Sequence, residues 1–406
     1  MSPTLQLLLL LAVIIFCAKA AGYISTRMGQ PAVLGELLAG LVLGPTLLDL
    51  LHSPIFSGSQ TGEIVLELGE LGVIFLMFIA GLEVDFERML ESGTVATLAG
   101  VMGVIAPLIL GAITALAFGF PFLASVFVGL ILTATSVSIS AQTLLELGML
   151  RSKEGLALLG AAVIDDVLVI LALSIFLALT GGADAGMSSV VTVVLRMGVF
   201  LALAILLGAR LIPQLTHWVE RLPISEGVMA LVVVVTLLYA WSAEVVGEIA
   251  AITGAFLAGL FFARTTLRHE IERGMHTLTY VFFVPLFLIG IGLKANARTI
   301  GMEGLLFATA IIVVAILGKV AGCGLGARIG GFSARESLRV GIGMISRGEV
   351  GLIVAAIGLS NGLIGDDVYS TMIVMVLATT LVTPIFLRWF FQRTDTSRQR
   401  EEAVDG

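Results

Sequence analysis

The chain has 406 residues, of which 58% are hydrophobic and only 13% charged, and its mean hydropathy is +1.10. This composition argues against a soluble enzyme or a nucleic-acid-binding protein and indicates a polytopic helical membrane protein in a lipid bilayer. Cys17 and Cys323 lie in separate apolar segments without metal-ligand spacing, so they indicate neither a disulfide nor a zinc site, and no cofactor is implied.

Gly, Pro and clustered charges divide the chain into thirteen apolar segments, each a predicted transmembrane helix. When the odd-numbered connections are placed in the cytoplasm, the opposite side keeps only Lys294 and Arg298 as basic residues. This bias predicts an N-terminus outside and a cytoplasmic C-terminus. The predicted segments are residues 3–22, 31–50, 65–83, 93–118, 122–148, 155–180, 188–211, 226–243, 249–264, 278–295, 301–329, 338–361 and 369–391.

Two pairs of similar stretches indicate an internal duplication. Leu-Ala-Gly-Leu occurs at 38–41 in the second segment and again at 257–260 in the ninth. Polar or glycine-rich stretches interrupt the fifth segment at 133–140 and the twelfth at 346–351. Partners seven segments apart must cross the membrane in opposite directions, which predicts an inverted repeat with two broken helices that cross. Matching interruptions of this kind indicate the midplane binding site of a secondary transporter.

The adjacent aspartates Asp165 and Asp166 lie inside an otherwise apolar run in the sixth segment. A carboxylate at the bilayer centre costs roughly 2.5–3.5 kcal/mol, so a pair of them predicts a functional site. Neighbouring residues of a helix point about 100° apart, which gives the two carboxylates different partners. Lys319 is the lysine deep in an apolar segment, and pairing with one aspartate would neutralise it. Snorkelling of Lys319 to the membrane surface is the alternative.

The second carboxylate would then be free to bind either a proton or a cation. A partly desolvated carboxylate is where these two ligands compete, which is the basis of exchange. A small cation also needs several oxygen ligands, and Thr135, Ser136 and Ser138 could supply them from the broken fifth segment. Helix packing is the competing explanation for these three hydroxyls. Arg347 and Glu349 are expected to compensate the partial charges at the ends of the half-helices.

At this point the sequence resembles the NapA-type sodium/proton antiporters of the monovalent cation:proton antiporter superfamily. The resemblance runs from Gly29 to the end of the thirteenth segment. The stretches that carry it are 35–40 (GELLAG), 78–83 (FIAGLE), 133–138 (TATSVS), 162–166 (AVIDD), 318–319 (GK) and 347–352 (RGEVGL).

The resemblance implies that Asp166 alternately binds a proton or the transported Na⁺, and that the Asp165–Lys319 ion pair breaks when the cation enters. Paired aspartates imply electrogenic exchange, with two protons for each sodium ion. The implied assembly is a homodimer in a bacterial or archaeal cell membrane, with elevator-type movement. The implied division is 1–92 and 226–300 in a dimer domain, 93–180 and 301–392 in a core domain, 188–211 as a linker helix and 393–406 as a cytoplasmic tail.

Two other transporter functions remain open from the sequence. Potassium/proton exchange of the Kef type is the nearer one, although those relatives typically carry Gln-Asp at the ion site. A sodium-coupled solute symporter would not need an acidic pair beside a buried lysine. An intramembrane aspartyl protease needs its two aspartates on separate helices, which adjacent residues cannot provide, so we do not expect an enzyme.

Overall fold

The computed structural model describes residues 2–53, 55–56, 60–84, 92–180, 187–294 and 304–392, and within these ranges the chain is all-helical. A 3₁₀ turn covers Leu50–His52, and the π-helical turn Thr279–Phe283 joins α11 to α12. The helices are α1 (Pro3–Arg27), α2 (Ala32–Leu43), α3 (Thr61–Glu83), α4 (Gly93–Ala117), α5 (Phe122–Thr133), α6 (Val137–Glu146), α7 (Lys153–Thr180), α8 (Met187–Glu220), α9 (Gly227–Val245), α10 (Ala251–Phe262), α11 (Arg268–Leu278), α12 (Val284–Lys294), α13 (Leu305–Ile329), α14 (Ala334–Gly343), α15 (Glu349–Ser360) and α16 (Asp366–Gln392).

Ten helical segments in the described ranges are long and apolar enough to cross a membrane. Three more apolar helices, α2, α10 and α15, have 12 residues each and so are only about 18 Å long. The sequence predicted longer segments at these places, over 31–50, 249–264 and 338–361. In the first case α2 ends at Leu43 because Gly44, in extended conformation, precedes a proline, which disfavours helix in the residue before it.

The helices pack into two groups. Helices α4–α7 and α13–α16 contact one another, and we call them the aspartate group. All of them except α6 and α14 contribute to the apolar cluster around Phe127, Leu130 and Met372. Helices α1–α3 and α9–α12 form the scaffold group, part of which surrounds a second cluster at Leu10 and Leu286. Helix α8 contacts α7 of the first group and α9 and α10 of the second.

Glycines bring the short scaffold helices α2 and α10 close to their neighbours. A Cβ on Gly259 of α10 would collide with the carbonyl of Phe78 in α3, and one on Gly81 of α3 with the carbonyl of Phe256 in α10. The same close approach joins α2 to α12, where a Cβ on Gly40 would lie 2.6 Å from the carbonyl oxygen of Ile289. The repeated Leu-Ala-Gly-Leu stretches are therefore helix-packing surfaces.

Candidate ion-binding site

The two helix interruptions lie in direct contact. Residues 134–136 separate α5 from α6, and 344–348 separate α14 from α15. The backbone N–H of Ser136 donates to the carbonyl oxygen of Ser346 at 2.9 Å, and the Ser346 hydroxyl donates back to the Ser136 carbonyl at 2.6 Å. Ser140 Oγ donates to the carbonyl of Gly343 at 2.5 Å. These bonds satisfy backbone groups that lipid could not, so unwound chain is tolerated inside the protein.

Arg347 stabilises the second interruption. Its guanidinium is fully buried and donates to the carbonyl oxygens of Met344 (3.1 Å) and Ile345 (2.5 Å) at the end of α14, and of Ala315 (3.1 Å) in α13. A positive charge is favourable at the carbonyl end of a helix. Compensation of partial charge by Arg347 stays a prediction. Glu349 begins α15, and its side chain lies outside the described part of the structure.

Asp165 and Lys319 form an ion pair in the interior of the aspartate group. Lys319 Nζ lies 2.6 Å from Asp165 Oδ1, and neither side chain is exposed at all. The lysine therefore turns inward and does not snorkel. The pair fits beside Gly103, where an added Cβ would collide with Cys323 Sγ and lie 3.6 Å from Lys319 Nζ.

Asp166 faces a different environment from its neighbour. Its side chain is nearly buried and lines a cavity of about 510 Å³ between the two helix groups, together with Val73, Phe287 and Gly348. The rim of this cavity carries charged side chains, including an exposed ion pair of Lys294 Nζ and Glu70 Oε1 at 3.0 Å. The cavity extends from Asp166 to Lys294 at the C-terminal end of α12, and we call this side of the protein the cavity face.

The opposite face is closed by polar contacts between the two groups. Glu146, at the end of α6, accepts hydrogen bonds from the backbone N–H of Ala32 (2.8 Å) and of Val33 (3.2 Å). These are orphan donors in the first turn of α2, which has no side-chain cap of its own. Arg151, in the connection to α7, lies 3.8 Å from the carboxylate of Glu83 at the end of α3. We call this the closed face.

Thr135, Ser136 and Ser138 are buried, and none of their hydroxyl oxygens has a hydrogen-bond partner among the described residues. Ser136 packs against Gly348, a residue of the cavity wall: a Cβ on Gly348 would lie 2.6 Å from Ser136 Oγ. The structure does not join any of the three hydroxyls to Asp165 or Asp166 by a hydrogen bond. Their role as cation ligands stays a prediction.

A comparison with known families identifies the chain. The family model described as "Sodium/hydrogen exchanger, transmembrane" matches residues 11–393. This chain belongs to the sodium/hydrogen exchanger family. The match and the ten apolar helical segments of the described ranges make this exchanger an integral membrane protein.

Individual relatives cover nearly the whole exchanger. It is 38% identical to the Na(+)/H(+)-K(+) antiporter GerN of Bacillus cereus, over 95% of this chain and 96% of the relative. It is 34% identical to a Na(+)/H(+) antiporter of Enterococcus hirae, over 95% of this chain and 98% of the relative. A solved structure of the sodium proton antiporter MjNhaP1 from Methanocaldococcus jannaschii matches with a TM-score of 0.66 at 18% sequence identity. The match covers 94% of this chain and 96% of that one. This last likeness shows a shared fold.

The exchanger also has a site residue that the sequence analysis missed. Thr253, in the first turn of α10, donates its hydroxyl to Asp166 Oδ2 at 3.0 Å and is 2% exposed. The available signal was a threonine near the start of the ninth apolar segment, four residues before the second Leu-Ala-Gly-Leu stretch. Nothing in the sequence places that turn beside Asp166.

Proposed function

We propose that this protein exchanges Na⁺ for H⁺ across the membrane and that Asp166 is the carboxylate both ions use in turn. The observation that carries the proposal is the unequal environment of the paired aspartates. Asp165 is neutralised by Lys319, whereas Asp166 lines a cavity that continues to an exposed rim. The printed names of the relatives, which are Na⁺/H⁺ antiporters, support the same exchange.

Competition for one carboxylate provides the coupling. Only one of the two ligands, a proton or a sodium ion, is held by Asp166 at a time, so each crossing of the membrane carries one of them. Sodium requires further oxygen ligands as it loses water, and Thr135, Ser136 and Ser138 supply them. These hydroxyls are buried without a hydrogen-bond partner in the described part of the chain, which supports this role because unpaired buried hydroxyls are otherwise costly.

Asp165 and Lys319 make the exchange electrogenic in this proposal. The ion pair opens when sodium binds at the neighbouring Asp166 and re-forms when sodium leaves. Lys319 then gives up its proton in one half of the cycle, so more than one proton moves for each sodium ion. The complete burial of both partners supports this, because a charge left alone at that place is strongly unfavourable.

Movement of the aspartate group against the scaffold group would expose Asp166 to either face in turn. The cavity on one face, with Glu146 and Arg151 bridging the groups on the other, suits one end state of such a cycle. We assign thirteen membrane segments in an inverted repeat. The equivalent packing of α2 on α12 and of α10 on α3, and the crossing of two broken helices, support that symmetry.

The remaining assignments follow the sequence. The protein lies in a bacterial or archaeal cell membrane with its N-terminus outside, as a homodimer formed through scaffold helices, with α8 as the linker between the two groups. The tail 393–406, which lies outside the described residues, is cytoplasmic. Potassium is the second candidate cation, because the printed name of GerN includes K⁺.

The test is ion-driven proton movement in proteoliposomes with an internal pH dye. Na⁺, Li⁺ or K⁺ is added outside at imposed membrane potentials of either sign. We expect external Na⁺ to enter in exchange for luminal H⁺ and so to alkalinise the lumen, at a rate that depends on the potential. A response to K⁺ alone would replace sodium as the substrate, and a potential-independent response would remove the electrogenic part.

A further inference from the structure

The hydrogen bond between Thr253 and Asp166 connects the two helix groups at the site itself. Asp166 lies on α7 of the aspartate group, and Thr253 lies on α10, which packs mainly on α3 and α9 of the scaffold group. The bond length is 3.0 Å, and both side chains are buried. Asp166 therefore has an oxygen neighbour that is not part of its own moving unit.

The position of Thr253 in its helix explains why its hydroxyl is available. Other buried threonines of this protein donate to the carbonyl four residues earlier, as Thr143, Thr216 and Thr236 each do at 2.7 Å. For Thr253 that carbonyl would be Ile249, which precedes the first residue of α10. The Thr253 hydroxyl instead donates to Asp166.

The start of α10 is suited to charge at this place. Residues 249–252 line the same cavity as Asp166, and the first turn of α10 has no side-chain cap. The N-terminal end of a helix carries a partial positive charge, which is favourable beside a carboxylate. The Thr253 hydroxyl adds a directed donor to that field.

We propose that Thr253 is a sodium ligand that acts only while Asp166 faces the cavity. In the empty site its hydroxyl proton points to Asp166 Oδ2. When Na⁺ binds beside the pair, in contact with both oxygens, the hydroxyl rotates and offers a lone pair of Oγ1 to the cation. A hydroxyl has both a donor and an acceptor capacity, so the same oxygen serves in the empty and in the occupied site.

The main consequence is that Thr253 affects sodium binding from one side of the membrane only. This consequence rests on the proposed exchange and on the proposed movement of the aspartate group. When the aspartate group shifts, Asp166 leaves α10 and the cation loses one oxygen ligand. Sodium is then held less tightly at the closed face than at the cavity face, which sets a different KM for each side. A ligand contributed by the moving group itself would affect both faces alike.

The test compares Thr253→Val, which keeps the shape and removes the hydroxyl, with Thr253→Ser, which keeps the hydroxyl. The KM for Na⁺ is measured from each side in right-side-out and inside-out vesicles. Labelling of Lys294→Cys with a membrane-impermeant maleimide identifies the cavity face. We expect the valine variant to raise KM at the cavity face about tenfold, the effect of losing one oxygen contact to a charge.

The serine variant should stay close to wild type at both faces, and the valine variant should match wild type at the closed face. An unchanged or lower KM at the cavity face, or an equal rise at both, would overturn the assignment of Thr253 as a one-sided ligand. Failure of wild type to exchange Na⁺ for H⁺ would instead overturn the proposed function, so the two results are distinguishable.

Discussion

Removing the buried lysine should destabilise the protein far more than removing an exposed one. Lys319→Met keeps the length of the side chain but leaves the Asp165 carboxylate without its cation, at a place where both side chains have no solvent exposure. Breaking such a pair from one side costs about 3–5 kcal/mol. An unfolding entropy of about 2 cal/mol/K per residue over this chain converts that to a Tm lower by about 4–6 °C.

The assay is thermal unfolding in detergent, followed by the amount of monodisperse protein that remains after heating. The matched control is Lys294→Met, because Lys294 is also paired with a carboxylate, Glu70 at 3.0 Å, but is 42% exposed. Exposed pairs contribute about 0–1 kcal/mol, so this control should stay within about 1 °C of wild type.

The double variant Asp165→Asn/Lys319→Met separates charge from packing. It removes both charges and keeps both volumes, so we expect it to recover most of the lost stability. A Lys319→Met variant as stable as Lys294→Met would refute the reasoning. So would a double variant no more stable than the single one, since the loss would then come from packing around Lys319.

Three further predictions concern the helix breaks and the closed face. Gly348→Ala should abolish transport in a folded protein, because its Cβ would lie 2.6 Å from Ser136 Oγ. The control Gly351→Ala, whose Cβ would have its nearest neighbour 3.8 Å away, should transport normally. Equal transport rates of the two variants in a flux assay would contradict this. Arg347→Lys should lower Tm by several degrees, since a lysine cannot reach three carbonyls at once, and an unchanged melting curve would count against the helix-end role. Glu146→Ala should remove the cap of α2, which is worth about 1 kcal/mol. It should also raise the maleimide labelling of cysteines placed at the closed face. Labelling equal to that of the protein with Glu146 would argue against a closing contact.

Much of the site could be predicted because burial of charge leaves few choices. A carboxylate pair and one lysine in apolar segments are costly unless they meet, and the 2.6 Å contact of Lys319 with Asp165 fulfils that requirement. Hydroxyl-rich and glycine-rich stretches likewise marked where the backbone leaves the helix. These features depend on local composition, which a sequence contains directly.

The contacts between the helix groups could not be predicted in this way. Thr253 and Asp166 are 87 residues apart, and Glu146 caps a helix 114 residues away. Threonine and glutamate are common at helix ends, so neither residue type indicates which partner it meets. The end of α2 was also missed: the sequence predicted a segment over 31–50, because apolar residues continue after Gly44 and Pro45, whereas the helix ends at Leu43.

The most direct test of the central claim is Na⁺-driven proton flux in proteoliposomes for wild type beside Asp166→Asn. Asparagine keeps the size of the side chain and cannot exchange a proton, so it isolates the chemistry from the packing. Both proteins should elute as the same folded species with similar Tm. The account predicts sodium-evoked flux in wild type and none in the variant. Sodium-dependent proton movement that persists in Asp166→Asn would contradict it.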